Sequence, residues 1–287
     1  MNNSAALDRR SFLKSGLLGS AALAAATLPQ KVIADLTKPE RDPCLGLKLG
    51  VASYTLRKFS LEEAIAMTKE AGLRYISLKD MHLPFKTTPT QRQEARKKIE
   101  AAGLTLFGGG VIYMKNNPAE IQGYFEYAKD AGMPVIVCSP EIQALDEVEK
   151  MAKQYDLRVA IHNHGPGDKN YPSPLDVLRL IQNRDSRMGI CIDVGHTVRL
   201  GEDPIEVIRK CASRLYDFHI KDVTKAAPEG RPTEVGRGVI DVVGVLRELV
   251  RIKFSDHFAL EYEIKENAPM PGIIESVAFM RGVLAVI

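Results

Sequence analysis

Residues Leu157 to His196 read LRVAIHNHGPGDKNYPSPLDVLRLIQNRDSRMGICIDVGH, and the order of patterns in this stretch decides the fold. RVAI and MGICI are short apolar runs bounded by turn residues, so each predicts a buried strand. Between them, SPLDVLRLIQNRD spaces its apolar residues about 3.6 apart and begins on Ser173, a side chain suited to cap a helix. Strand, helix, strand, with a crossover far too long for a hairpin, is a parallel unit. Both strands then run out into polar residues: His162, Asn163 and His164 after the first, Asp193 and His196 after the second. Alternate strand residues share a face, so His162 and His164 point the same way as Ala160.

The same alternation extends in both directions. Upstream, LKLGVASY precedes SLEEAIAMTKEAG, YISLKD precedes TPTQRQEARKKIEAAG, LTLFGGG precedes NPAEIQGYFEYAKDAG, and PVIVCSP precedes EIQALDEVEKMAKQYD. Downstream, MGICIDVGH precedes DPIEVIRKCAS, LYDFHIKDV precedes DVVGVLRELVRIK, and HFALEYE precedes PGIIESVAFMRGVLAVI. Eight strand–helix units in about 250 residues is the count of a single (β/α)₈ barrel, an α/β fold with an all-parallel sheet. Helix punctuation agrees, with Ser60, Asn117 and Ser173 as N-caps and Gly72, Gly103 and Gly132 as stops. No linker or break in composition divides residues 35–287, which read as one barrel domain. The apolar end, VAFMRGVLAVI, is short for a membrane span and suits a helix docked on the barrel.

Residues 1–34 read differently. DRRSFLK, with Arg9 and Arg10 adjacent, leads into the apolar, small-residue run SGLLGSAALAAATL. A charged start, apolar middle and alanine-rich exit predict a twin-arginine export signal, cleaved after Ala26 or Ala34, with a soluble N-terminal helix as the alternative. The expected location is then the periplasm, the expected partner in transit the twin-arginine machinery, and the mature protein has no integral membrane segment. The chain holds 39 basic and 36 acidic side chains. That excess lies wholly in residues 1–34, where Arg9, Arg10, Lys14 and Lys31 face only Asp8. A charge-balanced remainder gives no electrostatic case for nucleic acid or an anionic membrane. Cys44, Cys138, Cys191 and Cys211 fit no zinc-ribbon or CxxC spacing, and Cys138 and Cys191 read as core thiols.

In a barrel of this kind chemistry sits at the C-terminal ends of the strands. Five of the six histidines fall there, His82, His162, His164, His196 and His219; only His257 lies at a strand start. The same ends supply Lys79, Asp80, Asp193, Lys221, Asp222, Glu261 and Glu263. A buried aspartate or glutamate must be paired or metal-bound to be tolerated. Asp193, His219 and Glu261, with His162 as fourth donor, therefore make a mixed carboxylate and imidazole cage for Mn²⁺, Zn²⁺, Co²⁺ or Fe²⁺. His164 is a ligand or a wall of the pocket, and His196 a substrate contact or a loop residue. His82 is a further candidate for substrate binding. Lys79 and Lys221 are catalytic acids or ion-pair partners of Asp80 and Asp222. Glu263 shares the face of Glu261 if the strand continues, or lies already in the loop. After the seventh strand, EGRPTEVGRG carries Arg231 and Arg237, either a substrate-phosphate contact or a solvated lid. Tyr54, Phe85, Tyr113 and Tyr262 stack on a sugar face or pack in the wall.

At these positions the chain resembles the sugar phosphate isomerase/epimerase family, the xylose isomerase-like barrels, and the resemblance runs from LGVASYTLR to FALEYE. The family's metal ligands, Glu, Asp, His and Glu from strands 5 to 8, fall by position on His162, Asp193, His219 and Glu261. Strand 5 of the family reads Glu-Asn-His where this chain has IHNH, so His162 stands in place of the first glutamate. A proton relay between two glutamates is therefore not matched; a reaction with one base remains.

The resemblance implies a metal-dependent sugar isomerase or epimerase that abstracts a proton next to a carbonyl and passes through a stabilised enediolate. Glu261 or Glu263 would be the base, with Lys221 or Lys79 steadying the oxyanion. A lyase or hydratase on a 3-keto-sugar or keto-glucal begins with the same step. An exported sugar-binding protein without turnover is the third possibility. The endonuclease branch of the same barrel needs a basic face that this chain lacks.

Overall fold

The computed structural model describes residues 42–287. The export segment expected at 1–34, and residues 35–41 of the barrel portion, lie outside the described residues. Eight parallel strands close into a barrel: β1 Lys48–Ala52, β2 Tyr75–Leu78, β3 Thr105–Met114, β4 Val135–Pro140, β5 Arg158–His162, β6 Met188–Asp193, β7 Leu215–Ile220 and β10 His257–Leu260, which pairs back onto β1. The helices between them are α1 Leu61–Glu70, α2 Pro89–Ala101, α3 Pro118–Ala131, α4 Leu145–Tyr155, α5 Pro174–Ile181, α6 Val194–Arg199, α7 Pro204–Cys211, α8 Val242–Arg251 and α9 Met270–Val286. None of the described helices is long and apolar enough to cross a membrane.

The caps act where the sequence places them. Ser60 and Ser173 form capping boxes with Glu63 and Asp176, Asn117 accepts from Ala119 and Glu120, and Gly132 ends α3 in the left-handed conformation. Strand alternation then sorts the apolar side chains into two cores. Val159, Ile161, Ile190, Ile192 and Phe218 face the helices. Phe107, Val135, Val137, Ala160 and Cys191 fill the barrel interior. His162 and Asp193, two residues beyond Ala160 and Cys191, rise from that interior floor to the barrel mouth.

Three local features depart from the predicted elements. β3 runs to Met114 because Gly108, Gly109 and Gly110 let it bulge against β4. A Cβ at Gly110 would stand 2.0 Å from the Val137 carbonyl oxygen, so only glycine fits. β6 is followed at once by α6, a helix absent from the predicted pattern, whose N-cap is Asp193. β10 ends at Leu260, so Glu261 and Glu263 both lie in the following segment, although Glu261 N–H still donates to the Ile220 carbonyl at 3.0 Å.

The loop after β7 is ordered by one carboxylate. Asp222, fully buried, accepts backbone N–H groups from Val223 (2.8 Å), Gly236 (3.0 Å), Gly238 (2.9 Å) and Ile240 (3.2 Å). Within this loop β8 Asp222–Val223 pairs antiparallel with β9 Pro232–Thr233. Asp222 is thus the anchor of the loop and not the ion-pair partner of Lys221. Asp222→Ala would leave these donors unmatched, and hydrogen bonds to a charged group are worth about 1.5–3 kcal/mol each. We expect a loss of about 3 kcal/mol or more in urea unfolding; a loss below about 0.5 kcal/mol, the range of neutral surface changes, would show that the loop holds itself.

Candidate metal centre and active site

Register brings the polar strand ends together. Asp193 pairs with His219 across β6 and β7, and His162 pairs with Cys191 across β5 and β6. One donor atom from each of His162, Asp193, His219 and Glu261 lies within 4.8 Å of the other three, and all four residues are buried. His162 Nε2 is 3.2 Å from His219 Nδ1 and 3.6 Å from Asp193 Oδ2, while His219 Nδ1 is 3.2 Å from Glu261 Oε2. Donors about 2.0–2.2 Å from a tetrahedral ion stand roughly 3.4 Å apart, so the spacing fits.

Charge fits as well. Lys221 Nζ lies 2.8 Å from Asp193 Oδ2, 2.9 Å from Glu261 Oε2 and 2.7 Å from Glu263 Oε2. With His219 neutral, as a ligand must be, three carboxylates against one ammonium leave two negative charges over, the complement of a divalent cation. Asp193 Oδ2 also has no directed hydrogen-bond donor; Lys221 meets it as a charge contact. Burial alone would raise both cage carboxyls, but His196, Lys221 and His162 around Asp193, and Lys221 and His219 around Glu261, hold them well below the usual carboxylate range. Burial drives His162 down to about 3, so it is neutral and able to ligate. For His219 burial works downward, yet Glu261, Asp217 and Asp193 outweigh it and raise the ring to about 9. Cys191 also comes close to His162 and His219. Its thiol is pushed well up by burial and by Asp217, Asp193 and Glu261, so the carboxylate set is the better one.

The cage is held by neighbours of ordinary chemistry. Asp193 Oδ1 accepts His196 N–H at 2.8 Å, capping α6, which leaves Oδ2 for the cage. Asn163, fully buried, accepts Asp193 N–H at 2.8 Å and donates toward the Asp193 carbonyl and Thr197. Gly195 clears the path of Lys221: a Cβ there would stand 2.5 Å from Lys221 Cγ. Above the cage opens a cavity of about 330 Å³, lined by Tyr54, Lys79, Val111, Tyr113, His162, His164, His196, Glu261 and Glu263. That is the size of a small-ligand site. A depression of about 560 Å³ runs along the outer face of α4, but Asp146, Glu149, Lys150, Lys153 and Gln154 line it without converging on any point.

A family model, the xylose isomerase-like TIM barrel, matches residues 65–283. The chain belongs to this family. The inosose dehydratase of Bacillus thuringiensis is 24% identical over 176 residues, 54% of this chain, and the match spans 58% of that protein's length. A solved structure of an uncharacterised Parabacteroides distasonis protein is 26% identical, with a TM-score of 0.66 over 82% of this chain and 98% of the other. The fold is also that of the 3-keto-D-glucoside 4-epimerase of E. coli, with a TM-score of 0.67 at 16% identity over 82% and 99% of the two chains.

Within this xylose isomerase-like barrel, the remaining predicted residues divide. His164 and His196 line the cavity; His164 Nε2 meets the Tyr113 hydroxyl at 3.1 Å and its Nδ1 faces Asp168 at 3.3 Å. Lys79 also lines it, donating to the Val111 carbonyl at 2.5 Å and lying over the Tyr113 ring, with no ion pair to Asp80. His82 does not reach the cavity: it is buried, its ring nitrogens on Ser53 Oγ and the Leu56 carbonyl. Arg237 is exposed, paired with Glu275 on α9, and does not line the cavity. Phe85 packs on Tyr124 and Tyr127, and the Tyr262 hydroxyl bonds Glu234; neither lines the cavity. Asn163, Asp168 and Asp217 were not among the candidates; IHNHG alone signals Asn163, and nothing local signals the other two.

Removing one partner of a buried ionic group costs about 3–5 kcal/mol. Lys221→Met is expected to lose that much in urea unfolding of chelator-treated protein, and to regain part of it on addition of Mn²⁺. Equal stability of variant and wild type in chelator would show that Lys221 does not hold the three carboxylates.

Proposed function

We propose that the chain is an enzyme that binds a divalent cation at His162, Asp193, His219 and Glu261 and removes a proton next to the carbonyl of a neutral keto-sugar or keto-cyclitol. The observation that carries this is the placement of Glu263: outside the cage, lining the cavity, and, among the described residues, ion-paired only to Lys221. A bound cation supplies Lewis acidity toward the substrate's oxygens. Glu263 takes the proton from the carbon, Lys221 holds Glu263 in place at 2.7 Å, and Lys79, which lines the cavity, offers positive charge to the oxygen that gains electron density. Tyr54 and Tyr113 flank the substrate. A neutral substrate is favoured because no arginine lines the cavity and Lys221 is already engaged by three carboxylates. Export to the periplasm through the twin-arginine signal, where neutral sugars predominate, supports the same substrate class.

Two fates follow proton abstraction. Return of the proton to a carbon gives isomerisation or epimerisation, the chemistry named for the structurally similar 3-keto-D-glucoside 4-epimerase. Departure of a β-hydroxyl, which takes up the proton that Glu263 removed and leaves as water, gives dehydration, as named for the inosose dehydratase relative. Dehydration is favoured by His162: with imidazoles in place of a second glutamate, the wall facing Glu263 supplies hydrogen-bond donors for a leaving oxygen more readily than a second carboxylate base.

Proton NMR in D₂O with Mn²⁺-loaded protein and a panel of keto-sugars and inososes tests this. Deuterium is expected at the α-carbon, and Glu263→Gln is expected to lower the rate about 10²- to 10⁴-fold, the contribution of a general base. A product lighter by water selects dehydration; one of unchanged composition selects isomerisation. Saturable binding with no exchange on any substrate would make the chain a sugar-binding protein and overturn the proposal.

A further inference from the structure

The floor of the barrel contains a buried polar pair that packing does not explain. Asp217 and His257 are both fully buried, on neighbouring residues of β7 and β10, and Asp217 Oδ2 is 3.1 Å from His257 Nδ1. Around them the floor is apolar: Phe107, whose ring stacks on His257 at 5.4 Å, with Val137, Ala160 and Cys191. Barrel interiors are ordinarily filled by layers of branched apolar side chains. A carboxylate held there is costly unless it is matched, and a hydrophobic replacement is often no worse for stability.

The other carboxylate oxygen gives the pair a direction. Asp217 Oδ1 faces His219 Nε2 at 3.5 Å, from below, while His219 Nδ1 faces the cage. An ionised carboxylate only accepts, so each ring nitrogen turned toward it must carry its hydrogen. His257 thus donates from Nδ1 to Oδ2, and His219 presents Nε2–H to Oδ1. His219 Nδ1 is the nitrogen that faces the cage, 3.2 Å from both His162 Nε2 and Glu261 Oε2, so with Nε2 held toward Asp217 it is the one that would meet a cation. Cys191 Sγ, 3.7 Å from Oδ1, adds a weak donor.

We infer that Asp217 and His257 are positioning residues for the cation: a brace beneath the cage that fixes the tautomer and ring orientation of His219. The inference rests on the cage being a metal site, as proposed above. It extends the site one layer into the barrel, through a residue pair that does not itself line the cavity.

Co²⁺ alone is the probe, titrated into the full chain and read by its visible absorption and by competition with a chelator of known affinity. Loss of a partner behind a histidine ligand typically weakens metal binding about 10- to 100-fold. Asp217→Asn is expected to weaken Co²⁺ binding by that factor and to alter the Co²⁺ absorption bands; His257→Leu should do so to a lesser degree. His257→Gln, whose amide can donate to Asp217 Oδ2 in place of the ring, is expected to restore most of the affinity lost in His257→Leu. Wild-type affinity and an unchanged spectrum in Asp217→Asn and His257→Leu, whatever happens to their melting temperature, would reduce the pair to core packing. A wild-type chain that takes up no Co²⁺ would remove the cage and the brace together.

Discussion

Two carboxylates, Asp193 and Glu261, are buried at the mouth of an apolar barrel, and the rest of the site is arranged around their charge. Water would stabilise them; the barrel interior does not. Lys221 answers with a single positive charge placed between them, and Glu263 draws on the same ammonium. Neutral His162 can add a lone pair but no charge. With His219 neutral as a ligand, the arrangement is short of positive charge by two, the charge that a divalent cation supplies. Backbone details serve the same end: α6 begins on Asp193 so that one oxygen is used in the cap and the other is left over, and Gly195 leaves room for the lysine stem.

Layering separates the tasks. The interior floor and the strand ends are fixed by ladder hydrogen bonds and by register, so the cage is preorganised before any ligand arrives. Above it, the cavity wall is built from the bulged end of β3 with Tyr113, the β5 loop with His164, and the segment after β10 with Glu263. Variation in such loops changes substrate and outcome while the strand-end ligands stay in place. Likeness in sequence to an inosose dehydratase and in fold to an epimerase is what such an architecture allows.

The strands, the helices and the cage were legible in the sequence because each rests on a short-range rule. Alternation sends His162 inward with Ala160, and an acid after an apolar run, as at Asp193 and Glu261, must have company. Residues whose role depends on distant partners were not legible. His82 follows a strand like the other histidines, yet Ser53 and Leu56 take both its nitrogens. Arg237 sits in a loop suited to phosphate, but α9, far along the chain, supplies Glu275. Lys221 and Asp222 are adjacent in sequence and part company in space, one to the carboxylates and one to four backbone N–H groups. Asp217 lies within β7 and His257 begins β10, where no rule of strand ends applies, and only the pairing of these two strands makes them neighbours.

Elemental analysis of purified protein, wild type beside Asp193→Asn, addresses the cage most directly, since asparagine keeps the α6 cap and removes only the negative charge. Near-stoichiometric transition metal in the wild type, falling to a small fraction in the variant while both keep the same far-ultraviolet circular dichroism, is the expected result. A wild type that stays metal-free after incubation with Mn²⁺, Zn²⁺, Co²⁺ and Fe²⁺ would contradict the metal site and leave the four residues as a hydrogen-bonded wall.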